Sequence, residues 1–387
     1  MLKVSKIVLV IFLIIVVLNS GKSTADTRAE AIDECKLAKI VREPLSAGFP
    51  REPSLIPSTG KVRNLFLFVD FPDNPSKISS EKFANNYFRV ARKFFETISY
   101  GKFTPELAVS TKVFRVKNHS ASYKMFTDGQ GDYKALVQDS LNAADDEIDF
   151  SEFDIVTVLP PANTKQIRSS GAITGESDHL KTNDRNFSSA IIIGGNKLSS
   201  FNEPGFGWSF YAHEFGHVLG LTHPFKNTEG EPGPIWDLMG NGGTSVPEFI
   251  GWHRLVLKWL ADEEVICLSQ KNDRTIEQTL IPLNSRNIGK KLLIAPLNTK
   301  QALVVEVRRK SSFDRLTPKE TGVLVYLVDV TKGDDEGIVT VISSKRTTKD
   351  SQILGSLKPG EKVIYRGITI QVVSSNRTGD RIKVIRS

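Results

Sequence analysis

The densest cluster of reactive side chains in this 387-residue chain is His213-Glu214-Phe215-Gly216-His217-Val218-Leu219-Gly220-Leu221-Thr222-His223, which holds three of its six histidines. On a helix, residues four apart share a face, so His213 and His217 can offer both imidazoles to one ion. Imidazole nitrogen binds zinc at about 2.0–2.1 Å. Glu214, one residue after the first ligand, can lean over a water on that ion and act as general base. Gly220 tolerates the positive φ that stops a helix and turns the chain, and the turn returns His223 as a third ligand. Three protein ligands leave the fourth zinc position open, the pattern of a catalytic and not a structural site. A helix that happens to carry histidines would not also place Glu214 and Gly220 at these spacings.

This spacing is the metzincin signature. Metzincins place a methionine beneath the zinc histidines as a floor. Here Met239, one of three methionines, lies sixteen residues past His223 within Trp236-Asp237-Leu238-Met239-Gly240. The plainer reading, a buried methionine filling space in the core, is compatible with that role.

Further segments, in order along the chain, are similar to those of the immune inhibitor A-type metallopeptidases, secreted metzincin-like proteases found largely in bacteria. Phe68-Val69-Asp70-Phe71-Pro72-Asp73 resembles that family's early strand. Phe95-Glu96-Thr97-Ile98-Ser99-Tyr100-Gly101-Lys102-Phe103 resembles its SYGK segment, and Ile148-Asp149-Phe150-Ser151-Glu152-Phe153-Asp154 its acidic stretch. Trp236–Gly240 resembles its WDLMG, and Leu257-Lys258-Trp259-Leu260 a helix end. The resemblance covers roughly 48–260 and implies a zinc endopeptidase. Many members carry Asp at the third ligand position where this chain has His223. The family also commonly binds calcium. Asp145, Asp146, Glu147, Asp149 and Asp154 offer weak support for Ca2+, since they lack an Asp-x-Asp-x-Asp loop and read more simply as a solvated helix end.

The elements that must position these residues follow from periodicity. Asn64–Phe71, Phe153–Leu159 and Ser189–Ile193 are short apolar runs that read as buried strands. Lys82–Ile98 and Tyr133–Ala144 have apolar residues at helical spacing. After residue 270 the texture changes to short β-branched runs between turns: Lys291–Ala295, Ala302–Val307, Gly322–Val328, Gly337–Ile342, Lys362–Tyr365, Ile368–Val373 and Arg381–Ile385. The expected fold class is α+β. A metzincin-like catalytic domain over 61–265, with a mixed sheet, helices and the zinc helix, precedes a β-sandwich-like domain over 270–387. That last domain is either a binding module or a packing partner.

The N-terminus reads as a signal peptide over 1–25: Lys3 and Lys6, twelve apolar residues from Ile7 to Leu18, then small residues Ser23-Thr24-Ala25. The apolar stretch is short for a spanning helix, and no later stretch is long enough. Residues 26–60 are a Pro-, Gly- and Ser-rich lead-in without a core of its own, either retained or removed on activation. Export makes Cys35 and Cys267, the only cysteines, read as a disulfide; making Cys35 a latency ligand for zinc would leave Cys267 without a role.

A net charge of +7 with no Lys/Arg run of five argues against nucleic-acid binding. The expectation is a secreted monomer that hydrolyses protein or peptide substrates with zinc and no other required cofactor. The alternative is an inactive secreted binding protein on the same scaffold, which loss of Glu214 or a histidine would announce. His119, His179 and His253 are lone histidines, and His253, just past the methionine, is the one nearest the expected site. Asn118, Asn186 and Asn376 begin glycosylation patterns.

Overall fold

The computed structural model describes residues 32–40, 45–76, 81–127, 129–175, 180–199, 207–226, 235–240, 247–270, 275–342 and 355–387. The signal-peptide reading and His179 lie outside them.

The first half is built on strands β1 (Gly60–Asp70), β2 (Phe103–Val109), β3 (Phe114–Arg115), β4 (Ile155–Leu159), β5 (Gly171–Thr174) and β8 (Ser189–Ile192). Their order is β2-β1-β4-β8-β5, with β3 also paired to β1. All pairs are parallel except β5 with β8. Two short strands, β6 (Leu180–Lys181) and β7 (Asn186–Phe187), form a separate ribbon. A parallel sheet covered on both faces needs apolar residues at nearly every position, and β1 is buried without a break from Asn64 to Asp70. Its Phe66 and Phe68 face one apolar cluster, while Leu65, Leu67 and Val69 face another.

Helix α1 (Glu81–Ile98) presents Phe88, Ala91, Phe94, Phe95 and Ile98 to the first cluster. Helix α2 (Tyr133–Ala144) presents Leu136, Val137, Leu141 and Ala144 to the second. Asp132 caps α2 by accepting the Ala135 N–H at 2.9 Å. A one-turn helix, α3 (Gly195–Ser199), precedes α4 (Gly207–Val218), which carries the first two histidines. Trp208, Tyr211, Ala212, Phe215 and Val218 recur at helical spacing and bury α4 in the same cluster as α1.

The second half has two sheets. Strands β9 (Val265–Cys267), β11 (Leu292–Pro296), β12 (Gln301–Arg308), β13 (Gly322–Asp329) and β14 (Val339–Val341) pair in the order β14-β13-β12-β11-β9. Strands β10 (Thr275–Leu280), β15 (Lys362–Tyr365), β16 (Ile368–Ser375) and β17 (Asp380–Arg386) pair in the order β10-β17-β16-β15. The five-stranded sheet is apolar on both faces. Leu293, Leu303, Val305, Val323 and Val325 meet Ile370, Val372, Ile382 and Val384 of the other sheet. Leu292, Ile294, Val304, Leu324 and Tyr326 meet Trp236, Ile250, Trp252 and Leu255, the last three flanking or within helix α5 (Gly251–Val256).

A buried ionic cluster lies where the β12 end of that sheet meets the first half. Arg308 holds Asp314 through two nitrogens, Glu306 at 3.1 Å and the Trp236 carbonyl at 2.8 Å. Glu306 also accepts the Gly251 N–H at 2.7 Å.

The lead-in borrows its core from its neighbours. Leu37 and Ala47 sit in the cluster shared by α5 and the five-stranded sheet. The Trp252 and Trp259 indoles donate to the Ala47 and Ser58 carbonyls. Cys35 and Cys267 are joined in a disulfide, with Cα atoms 5.8 Å apart, so a cysteine-ligated latent site at Cys35 is excluded here.

Candidate metal centre

Helix α4 places Phe210, His213, Glu214 and His217 on one stripe, three and four residues apart. All four line a cleft of about 640 Å³ between α4 and the edge strand β5, whose Gly171, Ala172 and Thr174 form the opposite wall. Past Val218 the helix stops. Leu221 N–H returns to the Gly216 carbonyl at 3.0 Å and Gly220 takes φ +97°, a left-handed conformation that closes many helices. The chain reverses there and brings His223 back over α4.

The three imidazoles converge. His223 Nε2 lies 3.1 Å from His213 Nε2 and 3.2 Å from His217 Nε2. Every Nδ1 is held. His213 Nδ1 donates to the Leu238 carbonyl at 3.0 Å, His217 Nδ1 to the Leu221 carbonyl at 2.8 Å and His223 Nδ1 to Asp334 Oδ2 at 2.9 Å. A carbonyl can only accept, so the first two rings carry their proton on Nδ1 and turn a bare Nε2 lone pair toward the common centre. The His223 ring, its Nδ1 held by a carboxylate, turns its Nε2 to the same point, so a cation there would meet three nitrogens. Nitrogens bound tetrahedrally at about 2.0–2.1 Å lie about 3.3 Å apart, near the separations found here. The donor set therefore fits zinc.

Burial sets the protonation of these rings. It pulls His213 down to about 4, with the charge of His223 adding to the fall. Burial, then His213 and His223, pulls His217 well below the usual histidine value. At His223 burial also pulls down, but the hydrogen bond and charge of Asp334 outweigh it and the net shift is upward. Two rings held neutral are ready to bind a metal without first losing a proton.

Met239 packs against helix α4 at Gly216. A Cβ added at Gly216 would lie 2.3 Å from Met239 Sδ, so the methionine reaches α4 at the residue just before His217. Its turn is pinned by Asp237, which accepts N–H bonds from Met239 and Ile250 at 2.8 Å each and from His253 Nδ1 at 2.9 Å. His253 is buried and braces this turn; it does not line the cleft. His119 is exposed and also lies outside the cleft lining.

Among the described residues the acidic stretch forms no group of three converging ligands. Asp145 accepts from Asn183 N–H, Glu147 pairs with Lys112, Asp149 accepts from Ser151 N–H and Asp154 from Arg63 N–H. Asn118, Asn186 and Asn376 are exposed. The sequence reading missed Gly216 and Asp334. A second glycine in the motif hints at Gly216, whereas Asp334 sits in an acidic turn with no sign of partnership.

No protein-family profile and no curated protein matches this chain. Comparison with solved structures finds metalloproteinase-II from Bacteroides fragilis at 16% identity and TM-score 0.31, aligned over 60% of this chain. The chain spans 61% of that protein's length. OgpA from Akkermansia muciniphila aligns at 12% identity and TM-score 0.34 over 77% of this chain and 96% of its own. Its catalytically inactive form, solved with an O-glycopeptide substrate, aligns at 12% identity and TM-score 0.31 over the same shares of the two chains, 77% and 96%. Likeness this low carries no weight for function, which rests on the geometry of the centre. Among the described residues no helix is long and apolar enough to cross a membrane.

Proposed function

We propose that this chain is a secreted zinc-dependent endopeptidase of the immune inhibitor A kind. His213, His217 and His223 hold the metal, and Glu214 is the general base. The observation that carries this reading is the convergence of three Nε2 atoms whose Nδ1 atoms are each anchored by a separate acceptor. When bound, zinc supplies Lewis acidity, making a water acidic near neutral pH and polarising a carbonyl.

The chain's own groups do the rest. Glu214, buried in the α4 stripe, accepts the proton of the attacking water and returns it to the departing amine. Strand β5 ends the sheet order and borders the cleft, so its outer backbone can pair with an extended peptide. Gly220 and Met239 act through shape, the first by turning the chain and the second as the floor. The disulfide and the export-like N-terminus support a site of action outside the cell.

The test is incubation of the purified full chain with denatured casein, with and without phenanthroline, alongside elemental analysis. About one zinc per chain and chelator-sensitive cleavage are expected. Cleavage by protein verified as metal-free would end the metallopeptidase reading.

A further inference from the structure

The three ligands are not anchored alike. His213 and His217 rest on backbone carbonyls of the first half, Leu238 and Leu221. His223 rests on Asp334, a side chain 111 residues further on, in the turn between β13 and β14. Asp334 grips this ligand twice: Oδ2 accepts from Nδ1 at 2.9 Å and Oδ1 accepts the His223 backbone N–H at 2.5 Å. The same turn and the start of β14 hold the chain that follows His223. Val339 N–H donates to the Pro224 carbonyl at 2.6 Å, Asp335 N–H to the His223 carbonyl at 3.4 Å, and Lys226 bridges to Glu336.

We infer that Asp334 is a positioning residue for the metal, and that the C-terminal β region thereby completes the centre. This rests on the zinc reading above. A carboxylate that accepts from both the ring and the backbone of one residue fixes its position, its ring rotation and its tautomer. Nε2 is then left bare and aimed at the other two nitrogens. Outer partners of this kind typically contribute 10–100-fold to metal affinity. Without Asp334, His223 lies on a segment after a helix end, and among the described residues no other side chain hydrogen-bonds its Nδ1 to orient the ring. Asp335 serves as the control. Its Oδ2 is 3.5 Å from the same Nδ1, so it adds charge nearby without a hydrogen bond.

The experiment compares wild type, Asp334→Asn, Asp334→Glu and Asp335→Asn as full chains. Zinc affinity is measured by competition with a chromophoric chelator, and the visible absorption spectrum of the cobalt-substituted protein is recorded. Asn keeps the shape but can no longer accept on both atoms. Asp334→Asn should bind zinc about 10–100-fold more weakly and change the cobalt spectrum, while its metal-free form unfolds at the wild-type denaturant midpoint. Asp334→Glu should recover part of the loss, and Asp335→Asn should stay within about two-fold of wild type.

Two results would overturn the assignment. One is Asp334→Asn binding zinc within about two-fold of wild type with an unchanged cobalt spectrum. The other is an equal loss in Asp335→Asn, which would make the effect one of charge and not of placement. If Asp334→Asn unfolds, Asp334→Glu decides: a wild-type affinity in a variant whose longer arm cannot keep both bonds also overturns it. Failure of the underlying zinc reading looks different, because wild type itself would then bind no zinc.

Discussion

Glu214 is the residue at which binding and turnover should come apart. It is not one of the three converging donors, so Glu214→Gln should keep zinc affinity close to wild type. Turnover on casein should fall by about 10²–10⁴-fold, the usual range for losing a general base; near-normal turnover would mean that another group activates the water. His213 makes a second prediction, for the metal-free protein. Burial holds its ring down to about 4 in the folded chain, while the unfolded ring titrates near 6.5. Between those values unfolding takes up a proton, so stability is full above about pH 6.5 and is lost as the pH falls toward 4. Denaturant midpoints measured across that window should decline, and His213→Gln should remove at most about 1.4 kcal/mol per pH unit of the slope. An unchanged slope would show that His213 protonates equally easily in both states.

At the scale of elements, α4 and the Met239 turn are fitted through a missing side chain. Alanine at an exposed helical site would gain about 1 kcal/mol over glycine, but at Gly216 its Cβ would fall 2.3 Å from Met239 Sδ. Overpacking costs about 1–3 kcal/mol, so Gly216→Ala should destabilise the wild type. Met239→Leu should cost under about 1.5 kcal/mol and Met239→Ala about 2–5 kcal/mol. In the Met239→Ala background the clash is gone, and Gly216→Ala should become neutral or stabilising. Denaturation of wild type, Gly216→Ala, Met239→Ala and the double variant settles this: additive effects would show that the two residues do not touch.

What the sequence made legible also divides by element. Helix α2 was readable to the residue and α1 to within one, because long amphipathic stretches carry a strong period. All seven apolar runs after residue 270 are strands, with ends shifted by up to two residues. Strand β2 was missed because Pro105 argues against a strand, yet β2 is the sheet's edge, where proline is tolerated. Strand β5 was missed because Gly171-Ala172-Ile173-Thr174 has one fully buried apolar residue and no run. At the site, the eleven-residue motif was local and therefore readable. Asp334 was not, because a partnership across 111 residues leaves no spacing to detect.

At the scale of the whole molecule, the five-stranded sheet belongs to both halves, and charge as well as apolar surface is sealed beneath it. Arg308 is 1% exposed and its partners Glu306 and Asp314 are 0% and 2% exposed. Arg308→Ala would leave two carboxylates buried without their cation, a change that typically costs about 3–5 kcal/mol. Thermal unfolding should show that loss as one shared transition; a normal midpoint, or a second transition confined to the β region, would argue that the halves melt independently.

That shared sheet has a consequence for how such a chain can be rearranged by recombination. A tail hung on a linker can be exchanged freely, because the seam crosses few contacts. Here a seam near residue 270 would strip Trp236 and Trp252 of their cover and take Asp334 away from His223. The portable piece is smaller than the tail. A chimera that keeps β11 to β14 and replaces the four-stranded sheet retains, among the described residues, the Asp334 contacts to His223, and needs a new partner for the face that carries Leu293, Leu303, Val305, Val323 and Val325. Natural shuffling or deliberate grafting should therefore succeed between the two sheets more often than between the two halves.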